Sequence, residues 1–412
     1  MARIAFAWEL GGEYGHVMSC AGLARGLEVH GHRIGLVFRE LRQLAVVPET
    51  RDYDAFQAPR SPREGIVMAI PAGYADIMLG CGYSDPRELA ALVGGWRSLF
   101  SRWRPDLIVA DFAPTALLAA RTLGIGCVTY GNGFFVPPRV TPLPPFRVDT
   151  PVDHDRLAAS DALVLANINY ALKAFGAPAL ESVAELFATE ENFLCTFPEI
   201  DHYGGRETSG YWGPRVRFDR GTDVAWPQGE GKRVFVYVKR GLPQLDALVD
   251  VLAASRHNIV TYIPDIDPAR RARLSTSRRH VVSDRPVRLD SFLKSCDLIV
   301  CHGGEIATGA LMYGVPQLLF PGHYEQLLTA YRLQQIGSAC WVGPKGQAAD
   351  VARGFTLTLD DPRYAAAARA FAKRYSAFSP SEQRRRIVAR IEEVLAGRGA
   401  ILSPPTRLGS EK

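Results

Sequence analysis

The sequence predicts an α/β protein with two domains, each built on a parallel sheet that helices cover on both faces. Short, continuous apolar runs alternate with helical segments along the chain, which is typical of strands buried on both faces. The length of 412 residues suits about two domains of ordinary size. A third observation is the turn His302-Gly303-Gly304, which follows a predicted strand and precedes a predicted helix.

The composition is that of a globular protein with a large core. Hydrophobic residues make up 47% of the chain and charged residues 22%. The formal net charge of +5 fits an anionic small-molecule ligand, and no Lys/Arg block interleaved with aromatic residues indicates a nucleic-acid partner. The seven cysteines are scattered without a Cys-x-x-Cys pair, so neither a disulfide framework nor a zinc site is expected.

The sequence predicts a cytoplasmic location and no integral membrane segment. No stretch approaches the ~20 apolar residues that a membrane-spanning helix needs. The N-terminus has the pattern of a first strand, because no longer apolar region with a cleavage site follows it. A basic amphipathic helix from about Pro380 is compatible with peripheral membrane contact or with a solvated face over an apolar stripe. The oligomeric state stays open.

The beginning of the chain is predicted as a βαβ unit. A first strand, Arg3 to Trp8, leads through a loop to a helix from about Val17 to His30. Gly31 follows at the position where glycine is favoured just past a helix end. Residues 34 to 38 then form a second strand, and the crossover between parallel strands is expected to be right-handed.

The rest of the first half repeats this pattern around two loops. Residues 59 to 85, rich in Pro, Gly and Tyr, are expected to form a long loop with little regular structure, and residues 131 to 145 form another. Further helices are predicted at 86–103, 114–123, 153–175 and 178–189, with strands at 105–111, 126–130 and near Phe193.

The weak periodicity of residues 199 to 231 places the domain junction there. We expect an N-terminal domain over 1–215, a C-terminal domain over 222–378, a closing helix over 379–396 and a tail over 397–412. The second domain repeats the α/β pattern, with predicted strands at 233–238, 258–263, 279–282, 297–301, 317–320 and 339–342.

The glycine pair Gly303-Gly304 indicates a seat for phosphate. Two glycines at a strand-to-helix turn let backbone N–H groups approach a ligand closely, and the helix N-terminus behind them carries a partial positive charge. His302 adds a possible side-chain donor. Taken alone, the pair is equally compatible with an ordinary tight turn.

The surrounding motifs resemble the donor-sugar signature of family 1 glycosyltransferases, the UDP-glycosyltransferases and macrolide glycosyltransferases. They are His302-Gly-Gly, then Gly314-Val315-Pro316, then Pro321 followed by Glu325-Gln326. The resemblance implies that His302 and the following loop hold a diphosphate, and that Glu325 and Gln326 bind the sugar hydroxyls. The complete set of donor-binding candidates is His302, Gly303, Gly304, Glu305, Thr308, Glu325, Gln326, Val287 and Arg240.

The resemblance also implies the GT-B fold. In this fold two Rossmann-like domains face each other across a cleft, and the last helix crosses back onto the N-terminal domain. The acceptor binds to the N-terminal domain and the nucleotide sugar to the C-terminal one. No cofactor and no metal are expected, since the nucleotide sugar is a co-substrate.

His16 is the candidate general base, and Asp111 is its candidate partner. Each follows or ends a predicted strand at the carboxyl edge of the sheet, where open α/β folds bind ligands. A hydroxyl acceptor needs a base whose pKa lies near working pH, which favours histidine, and a carboxylate fixes its tautomer. The resemblance supports the pair, because Gly15-His16 matches the Gly-His of the family. A polar residue at a helix N-terminus and a helix N-cap are the structural alternatives.

Four aromatic residues are candidates for the acceptor wall: Tyr14, Tyr74, Phe134 and Phe135. A purely structural role is the alternative for each.

Three positions depart from the family pattern. Glu305 follows the glycine pair, where a carboxylate would repel a diphosphate unless it points away or is neutralised. Asp284 stands where the family often has a base-stacking aromatic residue, although the backbone of Val287 is still available. Lys239-Arg240 replaces a small turn, and its cations either bind phosphate or are solvated.

The sequence therefore predicts a glycosyltransferase that moves a sugar from a UDP- or dTDP-linked donor to a hydroxyl of a small acceptor, such as a natural product. The reaction is expected to be inverting and metal-independent. A sugar-nucleotide-binding protein with little or no transfer activity and a nucleotide-sugar epimerase of the same fold are the alternatives. The sugar, the nucleotide and the acceptor stay open.

Overall fold

The protein forms two six-stranded parallel sheets of identical layout. A computed structural model describes residues 1–12, 14–62, 71–146, 151–206 and 210–398. In the first sheet the strand order is β3-β2-β1-β4-β5-β6, and in the second it is β12-β11-β10-β7-β8-β9. Each sheet therefore starts from a central strand and reverses direction once, which creates a crevice at the carboxyl ends of its strands. This confirms the predicted α/β fold class.

The strands of the first sheet are β1 (Arg3–Trp8), β2 (Arg33–Phe38), β3 (Asp54–Gln57), β4 (Leu107–Asp111), β5 (Gly126–Gly131) and β6 (Glu191–Leu194). Those of the second are β7 (Arg233–Tyr237), β8 (Asn258–Tyr262), β9 (His280–Ser283), β10 (Leu298–Cys301), β11 (Gln317–Leu319) and β12 (Ala339–Trp341).

The helices of the first half are α1 (Tyr14–Val29), α2 (Tyr74–Met78), α3 (Pro86–Trp103), α4 (Pro114–Leu123) and α5 (His154–Ala174). The later ones are α6 (Leu245–Ala253), α7 (Pro268–Leu274), α8 (Leu289–Phe292), α9 (Gly304–Met312), α10 (Tyr324–Ile336), α11 (Ala348–Asp360), α12 (Pro362–Arg374) and α13 (Pro380–Arg398). No helix among the described residues is long and apolar enough to span a membrane.

The local sequence explains where the helices begin and end. Asp85 accepts hydrogen bonds from the backbone N–H groups of Arg87 and Glu88 and so caps α3, whose first residue is Pro86. Gly124 ends α4 in the left-handed conformation that glycine adopts without strain.

Apolar clusters cover both faces of both sheets, which explains the continuous apolar strands. On one face of the first sheet, Phe6 and Leu36 pack with α1. On the other face, Ile108 and Ala110 pack with Trp96 and other residues of α3, α4 and α5. The second sheet is covered in the same way, by one cluster on each face.

Three predictions of secondary structure were wrong. Strand β3 was missed, because it is a short edge strand whose residues alternate between partly buried and exposed. The helix predicted at 178–189 is only a short 3-10 turn, Val183–Phe187. The predicted loop 59–85 contains α2 and a single π-helical turn, Leu79–Tyr83, while residues 63–70 lie outside the described part.

The last helix, α13, packs on α1 of the first half. Ile387, Val388 and Ile391 are at most 4% exposed and belong to the same apolar cluster as β1 and α1. Gly26 of α1 allows the close approach, since a Cβ atom there would lie 2.9 Å from a methyl group of Val388. The end of the chain thus completes the core of the N-terminal half.

The segment of residues 213–222 connects the halves and runs between them. Its backbone bonds to Thr196 at one end, and Thr222 pairs with Val287 at the other. Phe218 of this segment packs against α9, where Gly309 leaves room for the ring. We call residues 213–222 the interdomain segment.

Candidate active site

His16 and Asp111 meet at the carboxyl edge of the first sheet. Asp111 is the last residue of β4 and lies opposite Trp8, the last residue of the neighbouring strand β1. His16 lies in the first turn of α1, and its Nδ1 atom is 3.0 Å from Oδ2 of Asp111. Both side chains are buried, with exposures of 7% for His16 and 0% for Asp111. A carboxylate partner at Nδ1 fixes the tautomer in which Nε2 is free to accept a proton.

Aromatic rings hold the imidazole of His16 in place. The ring of Trp8 stacks on it with centroids 5.0 Å apart, and the ring of Phe135 lies at the same centroid distance. Nε2 of His16 faces the loop after β1, where a Cβ atom on Gly11 would lie 3.1 Å from it. The imidazole therefore has little freedom to rotate.

A buried arginine of the interdomain segment completes this group. Nη1 of Arg215 lies 3.0 Å from Oδ2 of Asp111 and donates a hydrogen bond of 3.0 Å to the carbonyl oxygen of Tyr130. Burial alone would raise the pKa of Asp111, but Arg215 and His16 together hold it below its usual value. Asp111 is therefore ionised at neutral pH. The thiol of Cys20, 3.6 Å from Oδ2, is a further contact.

Glu305 points from the second sheet towards this group. Its carboxylate lies 3.3 Å from Nη2 of Arg215 and accepts a hydrogen bond of 3.2 Å from the hydroxyl of Ser19 in α1. Burial between the halves raises the pKa of Glu305 to about 7, against the opposing effects of Arg215 and His16. The carboxylate of Glu305 is thus directed to the N-terminal half, where Arg215 compensates its charge, and the contact of Glu305 with the donor stays a prediction.

The glycine turn has the backbone geometry expected of an anion seat. Gly303 and Gly304 have φ angles of +116° and +66°, which other residues rarely adopt. Helix α9 starts at Gly304, and its N-cap residue, Gly303, has no side chain that could cap the helix. A Cβ atom on Gly303 would lie 3.2 Å from the backbone oxygen of Gln326, so the turn packs directly on α10. Backbone N–H groups at such a helix start favour an anion.

The predicted donor role of the His302 side chain is not supported. Its Nδ1 atom lies 2.7 Å from the carbonyl oxygen of Phe320, and its Nε2 atom accepts a hydrogen bond of 2.7 Å from the backbone N–H of Lys239. The carbonyl requires a proton on Nδ1, and the amide requires a lone pair on Nε2. The neutral ring therefore ties the ends of β7, β10 and β11 together, and leaves the anion to the backbone.

Glu325 and Gln326 lie in the first turn of α10, beside the glycine turn. Oε1 of Glu325 accepts a hydrogen bond of 3.1 Å from the side chain of Asn132 and lies 3.6 Å from Nε2 of His202, both in the first half. Oε1 of Gln326 accepts a hydrogen bond of 2.9 Å from the backbone N–H of Gly322. Glu325 thus faces the cleft between the halves, while Gln326 also shapes the turn before α10.

The other predicted donor residues, Thr308, Val287 and Arg240, differ in whether they reach the cavity between the halves. Thr308 lines a small cavity between the halves, together with Gly304, Glu305, Glu325, Asn132 and Arg215. The side chain of Val287 is buried in the core, and the backbone on either side of it pairs with Thr222. Arg240 is exposed in the turn after β7, next to Lys239, whose amide contacts His302.

The aromatic candidates separate into two pairs. Phe135 contacts His16, and Phe134 contacts Phe112 and His202 with centroids less than 6 Å apart. The prediction for Tyr74 is corrected, because its ring is fully buried in the core against Phe112 and Phe187. Tyr14 is 55% exposed at the start of α1 and is not part of this group of rings.

Sequence reasoning missed several residues of the site. Phe112, Phe146 and Tyr324 continue the aromatic series that begins at Phe135, with adjacent centroids about 5 Å apart. Arg215 was overlooked because it lies in a segment without periodicity, which was read only as a junction. A single arginine within such a segment carries no local signal. Its role depends on contacts with residues about a hundred positions away on either side.

A metal site is not indicated. No group of three or more His, Cys, Asp or Glu side chains with the spacing of a metal site occurs in the described part of the chain. The charges at the cleft are instead balanced among protein side chains.

The chain is similar to known proteins both in part of its sequence and in its fold. Residues 246–393 match the family described as the C-terminal domain of erythromycin biosynthesis protein CIII-like proteins. Solved structures with the same architecture include CalG4, the calicheamicin glycosyltransferase. It has a TM-score of 0.69 and 19% identity, over 97% of this chain and 99% of that one. The chain has the GT-B fold, and its residues 246–393 match a domain family of natural-product biosynthesis proteins. This confirms the predicted resemblance.

Two further GT-B relatives were solved with ligands. The glycosyltransferase VinC, in complex with dTDP, has a TM-score of 0.66 and 17% identity, over 96% of this chain and all (100%) of that one. The spinosyn rhamnosyltransferase SpnG, complexed with spinosyn aglycone, has a TM-score of 0.63 and 18% identity, over 95% and 100% of the two chains. No curated protein matches the sequence of this GT-B protein at a significant level.

Proposed function

We propose that the protein is an inverting glycosyltransferase that moves a sugar from a nucleotide diphosphate to a hydroxyl of an apolar small-molecule acceptor. The observation that carries this proposal is the contact of His16 Nδ1 with Asp111 at 3.0 Å, which leaves Nε2 as a base at the cleft. The glycine turn before α9 lines a cavity between the halves through Gly304 and Glu305, and Arg215, which contacts Asp111, lines the same cavity.

In the proposed reaction His16 Nε2 takes the proton of the acceptor hydroxyl. The acceptor oxygen forms a bond to the anomeric carbon, while the bond from that carbon to the diphosphate oxygen breaks. The electron pair leaves with the diphosphate. Attack from the side opposite the leaving group inverts the configuration at that carbon. Asp111 stabilises the imidazolium that forms, as in other histidine–carboxylate pairs.

The leaving diphosphate needs fixed donors. Backbone N–H groups at Gly304 and the first turn of α9 supply them together with the partial positive charge of the helix end. Glu325 is available for a sugar hydroxyl, because the side chains of Asn132 and His202 hold it at the cleft. Arg240 is exposed beside Lys239, whose amide contacts His302, and it would extend the positive surface for phosphate.

The comparisons support the classes of donor and acceptor. VinC, a protein of the same fold, was solved with dTDP, and SpnG was solved with spinosyn aglycone, which favours a dTDP-sugar and a small-molecule acceptor here. The aromatic rings of Phe112, Phe134 and Phe135 beside His16 offer apolar surface for such an acceptor.

A panel of dTDP-, UDP- and GDP-sugars tests the proposal, first by thermal shift and then by nucleotide diphosphate release with apolar acceptors. His16→Ala should lower release about 10²–10⁴-fold without loss of donor binding. His30→Ala is the matched control, because His30 follows the same helix and its side chain is 52% exposed. Equal release by the wild type and His16→Ala would refute His16 as the base.

The same assay separates the alternative function. A protein that binds sugar nucleotides without transfer is the alternative, motivated by the unusual carboxylate of Glu305 in the first turn of α9, which is directed to Arg215. Donor binding without release, unchanged in His16→Ala, would favour this alternative. Epimerised sugar nucleotide formed without any acceptor would instead indicate an epimerase.

A further inference from the structure

Arg215 joins the two halves of the site from a third segment. It belongs to the interdomain segment, yet its side chain is only 3% exposed. Nη1 contacts Asp111 and the carbonyl oxygen of Tyr130, both at 3.0 Å, and Nη2 lies 3.3 Å from Glu305. The guanidinium group also lies over the ring of Tyr130, with its Cζ atom 4.8 Å from the ring centroid. A planar fork with two charged partners is a geometry that arginine provides and lysine does not.

The second contact of Glu305 reaches the helix that carries the base. The hydroxyl of Ser19 donates to Oε1 of Glu305 at 3.2 Å, and Ser19 lies one helical turn after His16. Glu305 itself follows Gly304, the first residue of α9. Arg215 and Ser19 therefore both contact Glu305 at the start of α9. Through these contacts the base His16 is connected to the anion seat at the glycine turn.

Charged side chains from three elements lie around His16. They are Asp111 of β4, Glu305 of α9 and Arg215 of the interdomain segment. The thiol of Cys20 in α1 is a further titratable group. With both carboxylates ionised and the imidazole neutral, the set carries one net negative charge. A proton on the imidazole would bring the net charge of the set to zero.

We propose that Arg215 is a positioning residue that holds Asp111 against His16 and, through Glu305, fixes the base relative to the N-terminus of α9. The inference rests on the proposed function and extends it to a residue outside both sheets. Substitution of Arg215 should misplace the pair and separate it from the donor side, which lowers the rate of transfer more than it lowers donor binding.

The test uses the full chain with Arg215→Gln, Arg215→Lys and Glu305→Gln. The matched control is Arg217→Gln, from the same segment, whose side chain contacts Glu49 and Asp219 instead. The first readout is the NMR titration of the His16 ring in the ligand-free protein, assigned with His16→Gln. Arg215→Gln removes a cation and should raise the midpoint of the His16 titration. Glu305→Gln removes an anion and should lower that midpoint. Each shift should be roughly half a pH unit or more.

The second readout is the split between kcat and the KM for donor. Arg215→Gln should lower kcat about tenfold to a hundredfold with little change in donor KM, and Arg215→Lys should restore part of it. If Arg215→Gln does not fold, Arg215→Lys and Glu305→Gln still give both readouts.

The outcomes separate this inference from the proposed function. Opposite shifts of the His16 midpoint in the Arg215 and Glu305 variants support the coupling even if no sugar is transferred. Midpoints equal to that of Arg217→Gln overturn the inference, whatever the activity. A kcat that falls only in proportion to the loss of folded protein also overturns it.

Discussion

The two sheets share one strand order but differ at their carboxyl edges. The first sheet presents buried side chains there, with His16 and Asp111 packed among aromatic rings. The second presents backbone, with Gly303 and Gly304 at positive φ and a helix start behind them. Proton transfer needs a side chain of tuned charge and fixed orientation, whereas anion binding needs donors and open space. Under the proposed function, the same architecture would serve two tasks through the residues at the carboxyl edge of each sheet.

The largest effect on activity is expected from a substitution that removes a charge at the carboxyl edge of the first sheet. Asp111→Asn keeps the shape but removes the carboxylate that stabilises the imidazolium, so kcat/KM should fall about 10²–10⁴-fold. Asp106→Asn is the control, because Asp106 lies at the other end of the same strand and contacts the backbone of Arg3. Steady-state kinetics with the preferred donor check this. A loss of less than tenfold would contradict the role of Asp111.

A methyl group added at the carboxyl edge of the second sheet should weaken donor binding instead. Gly303→Ala places a side chain at a φ of +116°, with its Cβ 3.2 Å from the backbone oxygen of Gln326. We expect a rise of roughly tenfold in the dissociation constant for the donor nucleotide and a destabilisation of about 1–3 kcal/mol. Calorimetric titration and urea unfolding measure the two quantities.

Gly241→Ala is the control for that experiment. Gly241 has no positive φ, and a Cβ atom there would meet nothing within 4 Å. If both variants bind the nucleotide equally well, the glycine turn is not the anion seat.

A smaller effect should distinguish the aromatic residues of the first edge. Phe135→Leu removes the ring that contacts His16 at 5.0 Å and should raise the acceptor KM about threefold to tenfold, with the donor KM unchanged. Tyr14→Phe should leave both values unchanged, because Tyr14 is exposed and apart from the ring group. Initial rates at varied acceptor concentration measure this, and equal effects of the two changes would reject the assigned wall.

The smallest effect concerns the pH dependence of stability. Because the pKa of Glu305 is raised to about 7 in the folded protein, the folded state binds more protons than the unfolded state between about pH 4.5 and 7. Its contribution to stability is therefore present at low pH and lost as the pH rises through 7. Glu305→Gln should remove this loss and stabilise the protein at pH 8 by about 1 kcal/mol. This figure lies well below the full shift, since the side chain is 33% exposed.

Urea unfolding at pH 5 and pH 8 checks the prediction. Glu181→Gln, at an exposed glutamate, serves as the control and should show the pH dependence of the wild type. A Glu305 variant with the same pH dependence would show that this carboxyl titrates normally.

Much of the fold could be predicted from the sequence, because buried parallel strands are continuous apolar runs. Strands such as Arg3–Trp8 and Leu107–Asp111 were located to within two residues for this reason. The edge strand Asp54–Gln57 was not, since half-exposed residues carry a weak pattern. The helix predicted near 178–189 failed because its apolar residues, among them Val183 and Leu186, are buried without forming a regular helix.

The site was predictable where it depends on position in the chain pattern and unpredictable where it depends on long-range contacts. His16 and Asp111 both end up at the strand edge because topology brings strand ends together. The orientation of His302 was not foreseen, because its partners Phe320 and Lys239 come from two other strand ends. The orientation of the Glu305 side chain towards Arg215 was not foreseen either, because Arg215 lies 90 residues earlier in the sequence.

The packing of α13 on α1 has a consequence for biosynthesis of the protein. The cover of the first sheet includes Ile387, Val388 and Ile391, which follow both sheets in the sequence, so the first half lacks this cover until they have been synthesised. Each of these side chains contributes about 2 kcal/mol of burial. A chain cut before Pro380 would expose a hydrophobic groove along α1, and either half expressed alone would be prone to aggregation.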